Sequence, residues 1–477
     1  MYASGHFESL LGARCVHNKE RLLRYEVPER GSPGHTTCAL LPESEREIAS
    51  ILEAANRDGA KLVISAGRTG LVEAQRPEGE SVLSLEKLNR ILEIDASARL
   101  ATVEAGVSID ALNAALEPSG LMFPLEMGSS SAATLGACVA NGSAGANAVC
   151  YGTAANLCDA AWGFWGDGRI AGPDAGELWH APPGEQLAIN SARIGNQLIG
   201  SQGVLGVITR VRVRVHPIPA QREAALIPVE TMPDAIDVLG AARTEFDGAV
   251  EEFEFISREA MNLVRVAKGS AFRLPFARDP QSRFYLLLQV KSARADEDLT
   301  SRLYDFLAKE LALPEDRIGY APLKALKEIR HSITESSNLR MRARGGGRLA
   351  FDTATPTAVF GDYLAELEAA IRKSHPHVEF VAFGHAGVGG AHLHLLGDAA
   401  HPVDAKAREL NELVLDVTQE FDGTFSAEHG VGTKWAEEFS RRTPAAALRE
   451  MVAAKRMRDP NNVLNPRAFG FDRLLRA

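Results

Sequence analysis

Residues 124–145 contain few large side chains, and this limits how the chain can fold more than any other stretch of the sequence. Glycine, alanine, serine and threonine dominate it, in runs at 128–131, 134–136 and 141–145. Protein cores are close-packed by bulky apolar side chains, whereas glycine lets a backbone approach a ligand closely. The stretch therefore indicates a backbone that lies against an extended ligand.

Two further glycine-rich segments occur beside predicted strands. Residues 65–70 follow a short buried strand at 61–64, and residues 200–206 come just before another strand. Successive backbone N–H groups in such a turn suit a pyrophosphate, although for 65–70 alone an ordinary glycine turn is the simpler interpretation. The chain has no GxGxxG after a strand, which argues against a Rossmann dinucleotide site.

Four of the thirteen histidines lie in two short segments, as His385, His392, His394 and His429, and Glu428 stands beside the last. Imidazole and carboxylate groups together are ligands of a catalytic divalent metal. His392 and His394 are two apart on a predicted strand, so they face the same way and could chelate together. Pairing His385 with His392 instead requires the intervening glycines to turn the chain back. Both arrangements stay open, as does a packing role for His394.

Composition excludes several classes of protein. The chain has 477 residues, enough for two or three domains, with 45% hydrophobic and 24% charged residues. Its formal net charge of −10 argues against non-specific binding to nucleic acid. The apolar runs are too short to span a membrane, and the amino terminus lacks a signal-peptide core. We therefore expect a cytoplasmic protein without a transmembrane segment.

The five cysteines are widely spaced and include no CxxC pair, which excludes a zinc knuckle or an encoded iron–sulfur cluster. Disulfides are improbable in a chain of this size and compartment, so we expect five buried thiols. Any redox chemistry then requires a bound organic cofactor.

The order of elements predicts an α+β protein whose first boundary is the proline pair Pro217 and Pro219. A helix begins at a Ser44 cap and ends at Gly59, and Asp167 with the following glycine marks a hairpin. The second half suits an antiparallel sheet with helices on one face. The predicted domains are 1–217, 218–424 and 425–477. Further strands are predicted at 82–85, 91–94, 101–104, 160–165, 211–215, 250–256, 284–290, 349–353, 378–383 and 391–396, and helices at 233–246, 258–268, 297–312, 322–337 and 359–373.

Eight motifs occur in the order found in a known family, and together they extend over nearly the whole chain. The sequence resembles the FAD-linked D-2-hydroxyacid dehydrogenases of the vanillyl-alcohol oxidase and p-cresol methylhydroxylase flavoprotein superfamily. The motifs lie at 65–70, 82–95 (VLSLEKLNRILEID), 101–108 (ATVEAGVS), 123–129 (FPLEMGS), 199–209 (IGSQGVLGVIT), 383–395 (FGHAGVGGAHLHL), 426–432 (SAEHGVG) and 459–466 (DPNNVLNP).

The resemblance implies a two-subdomain FAD-binding domain, an α+β cap with an antiparallel sheet, and a C-terminal segment that returns to the FAD domain. Some members bond the flavin to a histidine in the first loop, where this chain has Arg68 and Thr69, so we expect non-covalent FAD. The implied FAD contacts are Ser65, Ala66, Gly67, Arg68, Thr69, Gly70, Gly128, Ser129, Thr134, Gly136, Asn141, Gly200, Gly203, Gly206, Ile208 and Asn462.

The resemblance also implies a divalent metal, zinc or manganese, with His385, His392 and Glu428 as ligands and His429 as general base. Arg330 and Thr334 match contacts to the substrate carboxylate, with His394 and Arg348 as weaker candidates. The chain departs from the family pattern at Val388, Gly390, His394 and Ala350, which puts the identity of the substrate in doubt more than the reaction type.

We expect oxidation of a D-2-hydroxy acid of the D-2-hydroxyglutarate, D-lactate or glycolate class to the 2-oxo acid, by hydride transfer to FAD. The electron acceptor stays open among a quinone, an electron-transfer flavoprotein, a cytochrome and an iron–sulfur partner, as do a homodimer and peripheral attachment to a membrane through a partner. The alternatives are a metal-independent flavin oxidase of an alcohol or sugar, and a flavoprotein subunit that is inactive without a partner.

Overall fold

The structure is a computed structural model that describes residues 2–173, 198–278 and 280–476, with side chains from residue 6 onward. The chain divides into two compact units. The first unit contains Met1–Gly145, Gly152–Ile218 and Glu428–Ala477, and the second contains Ala146–Tyr151 and Pro219–Ala427. No helix within the described ranges has both the length and the apolar run that crossing a membrane requires.

The strands of the described residues are numbered in chain order. Those of the first unit are β1 (Cys15–Val16), β2 (Ala39–Leu40), β3 (Leu62–Ser65), β4 (Ser81–Ser84), β5 (Ile91–Asp95), β6 (Leu100–Glu104), β7 (Leu121–Met122), β8 (Cys158–Trp165), β9 (Ile170–Ala171), β10 (Gly206–Arg214) and β11 (His216–Pro217). Those of the second unit are β12 (Gln221–Val229), β13 (Val250–Ser257), β14 (Phe284–Ser292), β15 (Arg348–Ala354), β16 (Glu379–Gly384) and β17 (Gly390–Leu396).

The α-helices are numbered in the same way. They are α1 (Tyr2–Leu11), α2 (Lys19–Glu26), α3 (Glu45–Asp58), α4 (Ile109–Leu116), α5 (Leu135–Asn141), α6 (Ala148–Tyr151), α7 (Ala154–Leu157), α8 (Met232–Phe246), α9 (Arg258–Lys268), α10 (Leu299–Asp305), α11 (Leu323–His331), α12 (Ile333–Arg344), α13 (Phe360–Ser374), α14 (Ala407–Glu420), α15 (Ala436–Arg442), α16 (Ala445–Arg458) and α17 (Phe471–Leu474).

Two larger sheets organise the first unit. One has the order β1-β2-β4-β3 with parallel pairing of β4 to β2 and β3, and the other has the antiparallel order β5-β6-β10-β8-β9. The local signals are confirmed: α3 begins after Ser44, whose Oγ accepts a hydrogen bond from the N–H of Glu47, and ends at Gly59 with φ 71°. The hairpin β8–β9 turns where the sequence predicts.

One six-stranded antiparallel sheet organises the second unit, in the order β12-β14-β13-β16-β17-β15. All eight residues of β13 are buried. On one face Ile256 packs with Met261 of α9 and Ile329 of α11, and on the other Phe255 makes an edge contact with Phe360 of α13. The expectation of helices on one face is therefore wrong, because a strand that is buried along its whole length is covered on both sides.

Three smaller predictions also change. The helix predicted at 322–337 is two helices, α11 and α12, separated at Ser332, whose hydroxyl donates to the carbonyl of Ile329 at 3.0 Å and so competes with helical bonding. The helix predicted at 297–312 continues past α10 as a single π turn. All five cysteines are free thiols, but Cys150 is only half-buried.

Candidate active site

The segment 65–70 after β3 presents a row of open backbone N–H groups. Within the described residues, the N–H groups of Ala66, Gly67, Thr69 and Gly70 donate to no protein acceptor. Arg68 between them has φ 60°, and its guanidinium bonds to a carboxylate oxygen of Glu86 at 3.1 Å. A turn of this kind, fixed by a side chain, is suited to bind an anion such as a pyrophosphate.

The small-residue segment 128–136 packs directly on this turn. A Cβ added at Gly67 would lie 2.0 Å from the carbonyl oxygen of Ala132, and one added at Gly136 would lie 2.4 Å from the Cβ of Ala105. Glycine is therefore required at both positions for the backbones to approach each other. The structure thus brings together two of the segments that the sequence assigns to FAD.

The segments 200–206 and 462–465 join the same region of the first unit. The N–H of Gln202 donates to the carbonyl of Ala140 at the end of α5, at 2.8 Å. Asn465 accepts from the N–H of Ile64 at 2.8 Å and donates to the carbonyl of Gln202 at 2.9 Å. Its side chain therefore bridges β3 and the glycine-rich segment 200–206.

A buried lysine links these segments through hydrogen bonds. Lys455 of α16 is fully buried, and its Nζ donates to the carbonyls of Val204 at 2.6 Å and Leu464 at 2.8 Å. Its third bond, also 2.6 Å, goes to the carboxylate of Asp459. Burial lowers the pKa of Lys455, which Asp459 partly offsets.

Three polar side-chain atoms in the predicted FAD set are buried and have no hydrogen-bond partner among the described residues: Ser65 Oγ, Thr134 Oγ1 and Asn462 Oδ1. Buried polar atoms are nearly always hydrogen-bonded, so such atoms call for a partner outside the chain. Together with the open N–H groups they fit a polar, extended cofactor such as FAD. The other predicted FAD contacts lie on the same segments, at the end of α5 or on β10: Gly128, Ser129, Asn141, Gly200, Gly203, Gly206 and Ile208.

The loop that carries His429 is fastened to these segments within the first unit. Gln202 Oε1 accepts from the N–H groups of Val431 and Gly432, both at 3.1 Å. The carbonyl of Val72, just beyond the open turn, accepts from the next two N–H groups of the loop at 3.1 and 3.2 Å. His429 is partly exposed, and its Nε2 lies 3.4 Å from Oε1 of Glu428. The predicted base and the predicted FAD segments are therefore neighbours.

In the second unit the other predicted histidines meet on one face of the sheet. His392 on β17 lies opposite Asp352 on β15 and opposite Phe383 on β16. The ring of His385, in the turn before β17, stands edge-on to that of His392 with centroids 5.3 Å apart. Asp352 Oδ1 lies 3.9 Å from Nδ1 of His392. The glycines between the two histidines do turn the chain back as that arrangement requires.

A buried glutamate connects His385 with Arg330. One carboxylate oxygen of Glu254 on β13 is bonded to Nδ1 of His385, and the other accepts from Nε of Arg330 at 2.5 Å. Burial by itself raises the pKa of Glu254, but the interactions with Arg330 and His385 lower it by more than burial raises it, so the pKa lies below its ordinary value. Arg330 also lies over the ring of Phe383, at 4.8 Å.

The remaining substrate candidates are spread along the same face. Thr334 is half-buried in the first turn of α12. His394 is 3% exposed, and its Nδ1 lies 2.9 Å from the hydroxyl of Ser337, which favours the packing role that the sequence left open. Arg348 and Ala350 share the face of β15 that carries Asp352. Val388 and Gly390, two positions at which the chain departs from the family pattern, lie in the turn before β17 and at the start of β17.

Three residues of these arrangements escape the sequence analysis: Glu254, Asp352 and Gln202. Glu254 does leave a signal, since VEEFEFIS contains three glutamates in a strand that is otherwise apolar. Asp352 becomes visible only from the register of β15 against β17, and Gln202 only from a contact across 229 residues.

Two family models match the chain. The one described as FAD linked oxidases, C-terminal domain, matches residues 218–468, more than half of the sequence. The one described as FAD binding domain matches residues 36–171.

Curated relatives match over most of their length. A D-2-hydroxyglutarate dehydrogenase from Xanthomonas citri pv. viticola is 28% identical over 453 residues, which cover 92% of this chain and 89% of that protein. A mitochondrial D-2-hydroxyglutarate dehydrogenase from Bos taurus is 26% identical over 476 residues, covering 96% of this chain and 81% of that protein.

Solved structures share the fold. Substrate-bound p-cresol methylhydroxylase superposes with a TM-score of 0.73 at 16% identity, covering 98% of this chain and 96% of that one. Alkyldihydroxyacetonephosphate synthase superposes with a TM-score of 0.70 at 16% identity, covering 98% and 85%. The predicted fold class is therefore confirmed.

Proposed function

The chain belongs to the FAD-linked oxidases and is an FAD-dependent 2-hydroxyacid dehydrogenase, and we propose that it oxidises a small D-2-hydroxy acid to the 2-oxo acid with the help of a divalent metal ion. The substrate belongs to the D-2-hydroxyglutarate, D-lactate or glycolate class. When bound, FAD supplies the acceptor for the hydride from C2 of the substrate.

The attachment of the His429 loop to the FAD segments carries this proposal. Gln202 accepts from two N–H groups of that loop and is itself part of the segment 200–206. A general base must lie within hydrogen-bond reach of the proton that it removes. His429 is an imidazole held beside the cofactor segments, so its role is to take the proton of the C2 hydroxyl.

The proposed metal ligands are His385, His392 and Glu428. Two imidazoles and one carboxylate make a ligand set of catalytic zinc that leaves a coordination position open for substrate. Glu428 directly follows Ala427, whose N–H donates to the carbonyl of Asp352 at 3.3 Å, and Asp352 lies opposite His392 on the sheet. A divalent ion supplies a Lewis acid there, which lowers the pKa of the substrate hydroxyl.

Arg330 is proposed to bind the substrate carboxylate. Its Nε is bonded to Glu254, and no acceptor among the described residues takes a hydrogen bond from its two terminal nitrogens. The paired N–H groups of a guanidinium edge match a carboxylate in a bidentate way. Thr334, four residues further on in the first turn of α12, is proposed to add a hydroxyl to the same end of the substrate.

Anaerobic bleaching of the flavin tests the proposal. The FAD-loaded protein, supplied with zinc or manganese, is mixed with a panel of D- and L-2-hydroxy acids, and we expect reduction by at least one D-isomer and by none of the L-isomers. His429→Ala should keep its FAD and lose reduction by about 10²–10⁴-fold, the usual contribution of a general base.

Two controls separate the parts of the proposal. Chelation of the metal should abolish reduction, and added zinc or manganese should restore it. Reduction by an alcohol or sugar that survives chelation would support a metal-independent oxidase instead. Reduction of His429→Ala at the wild-type rate would remove His429 from the mechanism.

A further inference from the structure

We propose that Glu254 is a positioning residue that orients His385 towards the metal and Arg330 towards the substrate carboxylate, an inference that rests on the function proposed above. One buried carboxylate would thus couple the two halves of substrate recognition.

The bond to His385 determines which ring nitrogen is available as a ligand. Glu254 is bonded to Nδ1, and a carboxylate partner on Nδ1 keeps the proton on that nitrogen. The lone pair then lies on Nε2, the nitrogen that can coordinate a metal. The bond also fixes the plane of the imidazole, which stands edge-on to the ring of His392. Without the carboxylate, both the tautomer and the ring orientation of His385 become variable.

The bond to Arg330 fixes the direction of its guanidinium. The second oxygen of Glu254 accepts from Nε, so the plane of the guanidinium is set by that bond and by the ring of Phe383 beneath it. The opposite edge, which carries the two terminal nitrogens, is thereby pre-oriented for a carboxylate. Pre-orientation of this kind reduces the entropy that substrate binding must overcome.

Glu252 provides a natural comparison on the same strand. It lies two residues before Glu254, on the same face of β13, and both are almost completely buried, at 0% and 1% exposed. Glu252 forms an ion pair with Lys327 of α11 at 3.0 Å. The two positions share burial, charge and a cationic partner on α11, and Glu254 in addition is bonded to His385.

Metal affinity of the full FAD-loaded chain tests the inference. Zinc and manganese binding, each without substrate, is measured by competition with a chelator for wild type, Glu254→Gln, Glu252→Gln and His385→Ala. We expect Glu254→Gln to weaken binding by about 10–100-fold, as loss of the partner of a ligating histidine does. Glu252→Gln should stay within about twofold of wild type, because the partner in its ion pair is Lys327 and not a ligating histidine. Steady-state kinetics should show a raised KM for Glu254→Gln and an unchanged KM for Glu252→Gln.

The outcomes distinguish failure of this inference from failure of the proposed function on which it rests. If His385→Ala binds metal as tightly as wild type, the proposed metal site is wrong. If His385→Ala loses the metal while Glu254→Gln and Glu252→Gln bind it equally well, the metal site stands and the role of Glu254 is refuted.

A charge-balanced variant covers the case in which Glu254→Gln does not fold. The double change Glu254→Gln with Arg330→Gln removes both buried charges, and its metal affinity is compared with that of Arg330→Gln alone. A 10–100-fold weaker affinity in the double variant supports the inference, and equal affinities contradict it.

Discussion

Replacement of Lys455 by methionine should loosen the part of the first unit that holds the FAD segments. Methionine keeps the apolar stem of the side chain and removes the ammonium, which makes three hydrogen bonds of 2.6–2.8 Å in a fully buried setting. Asp459 then keeps a buried negative charge whose remaining hydrogen-bond donors, among the described residues, are the N–H groups of Val463 and Leu464. Removing one partner of a buried ion pair costs about 3–5 kcal/mol.

The expected loss can be read from the release of FAD on heating. A change of 3–5 kcal/mol corresponds to a fall of roughly 6–20 °C in midpoint for a unit of this size. Because the protein has two units, a single unfolding transition cannot be assumed. Flavin fluorescence rises when FAD leaves its site, so it reports on the first unit alone.

Lys61 supplies the matched control. Its Nζ also donates to a carbonyl of the closing segment, that of Asn461, but at the surface of the protein. Lys61→Met should therefore lower the free energy of unfolding by about 1 kcal/mol or less. Equal midpoints for Lys455→Met and Lys61→Met would show that the buried ammonium does not secure the FAD segments.

Three further changes test other contacts. Gly67→Ala should prevent FAD retention, since its Cβ would lie 2.0 Å from a backbone oxygen of the neighbouring segment. Gly240→Ala, with open space around the added Cβ, should retain FAD. The ratio of absorbance at 280 and ~450 nm of the purified proteins measures how much FAD each retains. Gln202→Leu should keep FAD but slow its reduction by substrate about tenfold or more in stopped-flow traces, because the base loop loses two hydrogen bonds. Burial raises the pKa of Glu251, but the ion pair with Arg222 lowers it by more, so the pKa of this carboxyl lies below its ordinary value. The ionised carboxylate therefore stabilises the fold fully above the pKa that Glu251 has in the unfolded chain, and this stabilisation is lost as the pH falls through its pKa in the folded protein. Urea titrations should show that the difference in free energy of unfolding between wild type and Glu251→Gln shrinks below about pH 4.3.

Elements with a strong local signal could be predicted from the sequence. The helix α3 has its cap at Ser44 and its stop at Gly59, and both act through neighbours within one turn. The sequence does not predict the edge strand β12, because QREAALIPV lacks regular alternation and contains Pro228. Proline is accepted at the edge of a sheet, where one row of N–H groups has no ladder partner.

The contacts of the candidate site could be predicted only in part. His385, His392 and His429 are identifiable because imidazoles beside glycines are chemically distinctive. The bond between Glu254 and His385 joins residues 131 positions apart. It depends on the order and register of β13 and β16 in the sheet, and nothing in either local sequence determines that register.

The contact of β3 with the closing segment has a consequence for how the protein is made. β3 is the last strand of its sheet, and residues 463–465 cover its outer edge. The N–H of Leu62 donates to the carbonyl of Val463, and the N–H of Asn465 donates to the carbonyl of Leu62. On the ribosome β3 emerges some four hundred residues before this segment does. Until then it presents an uncovered edge, the feature through which strands pair with the wrong chain. We therefore expect the nascent protein to need protection from wrong pairing until the second unit has been synthesised, and a chain that ends before residue 463 to aggregate more readily than the full chain.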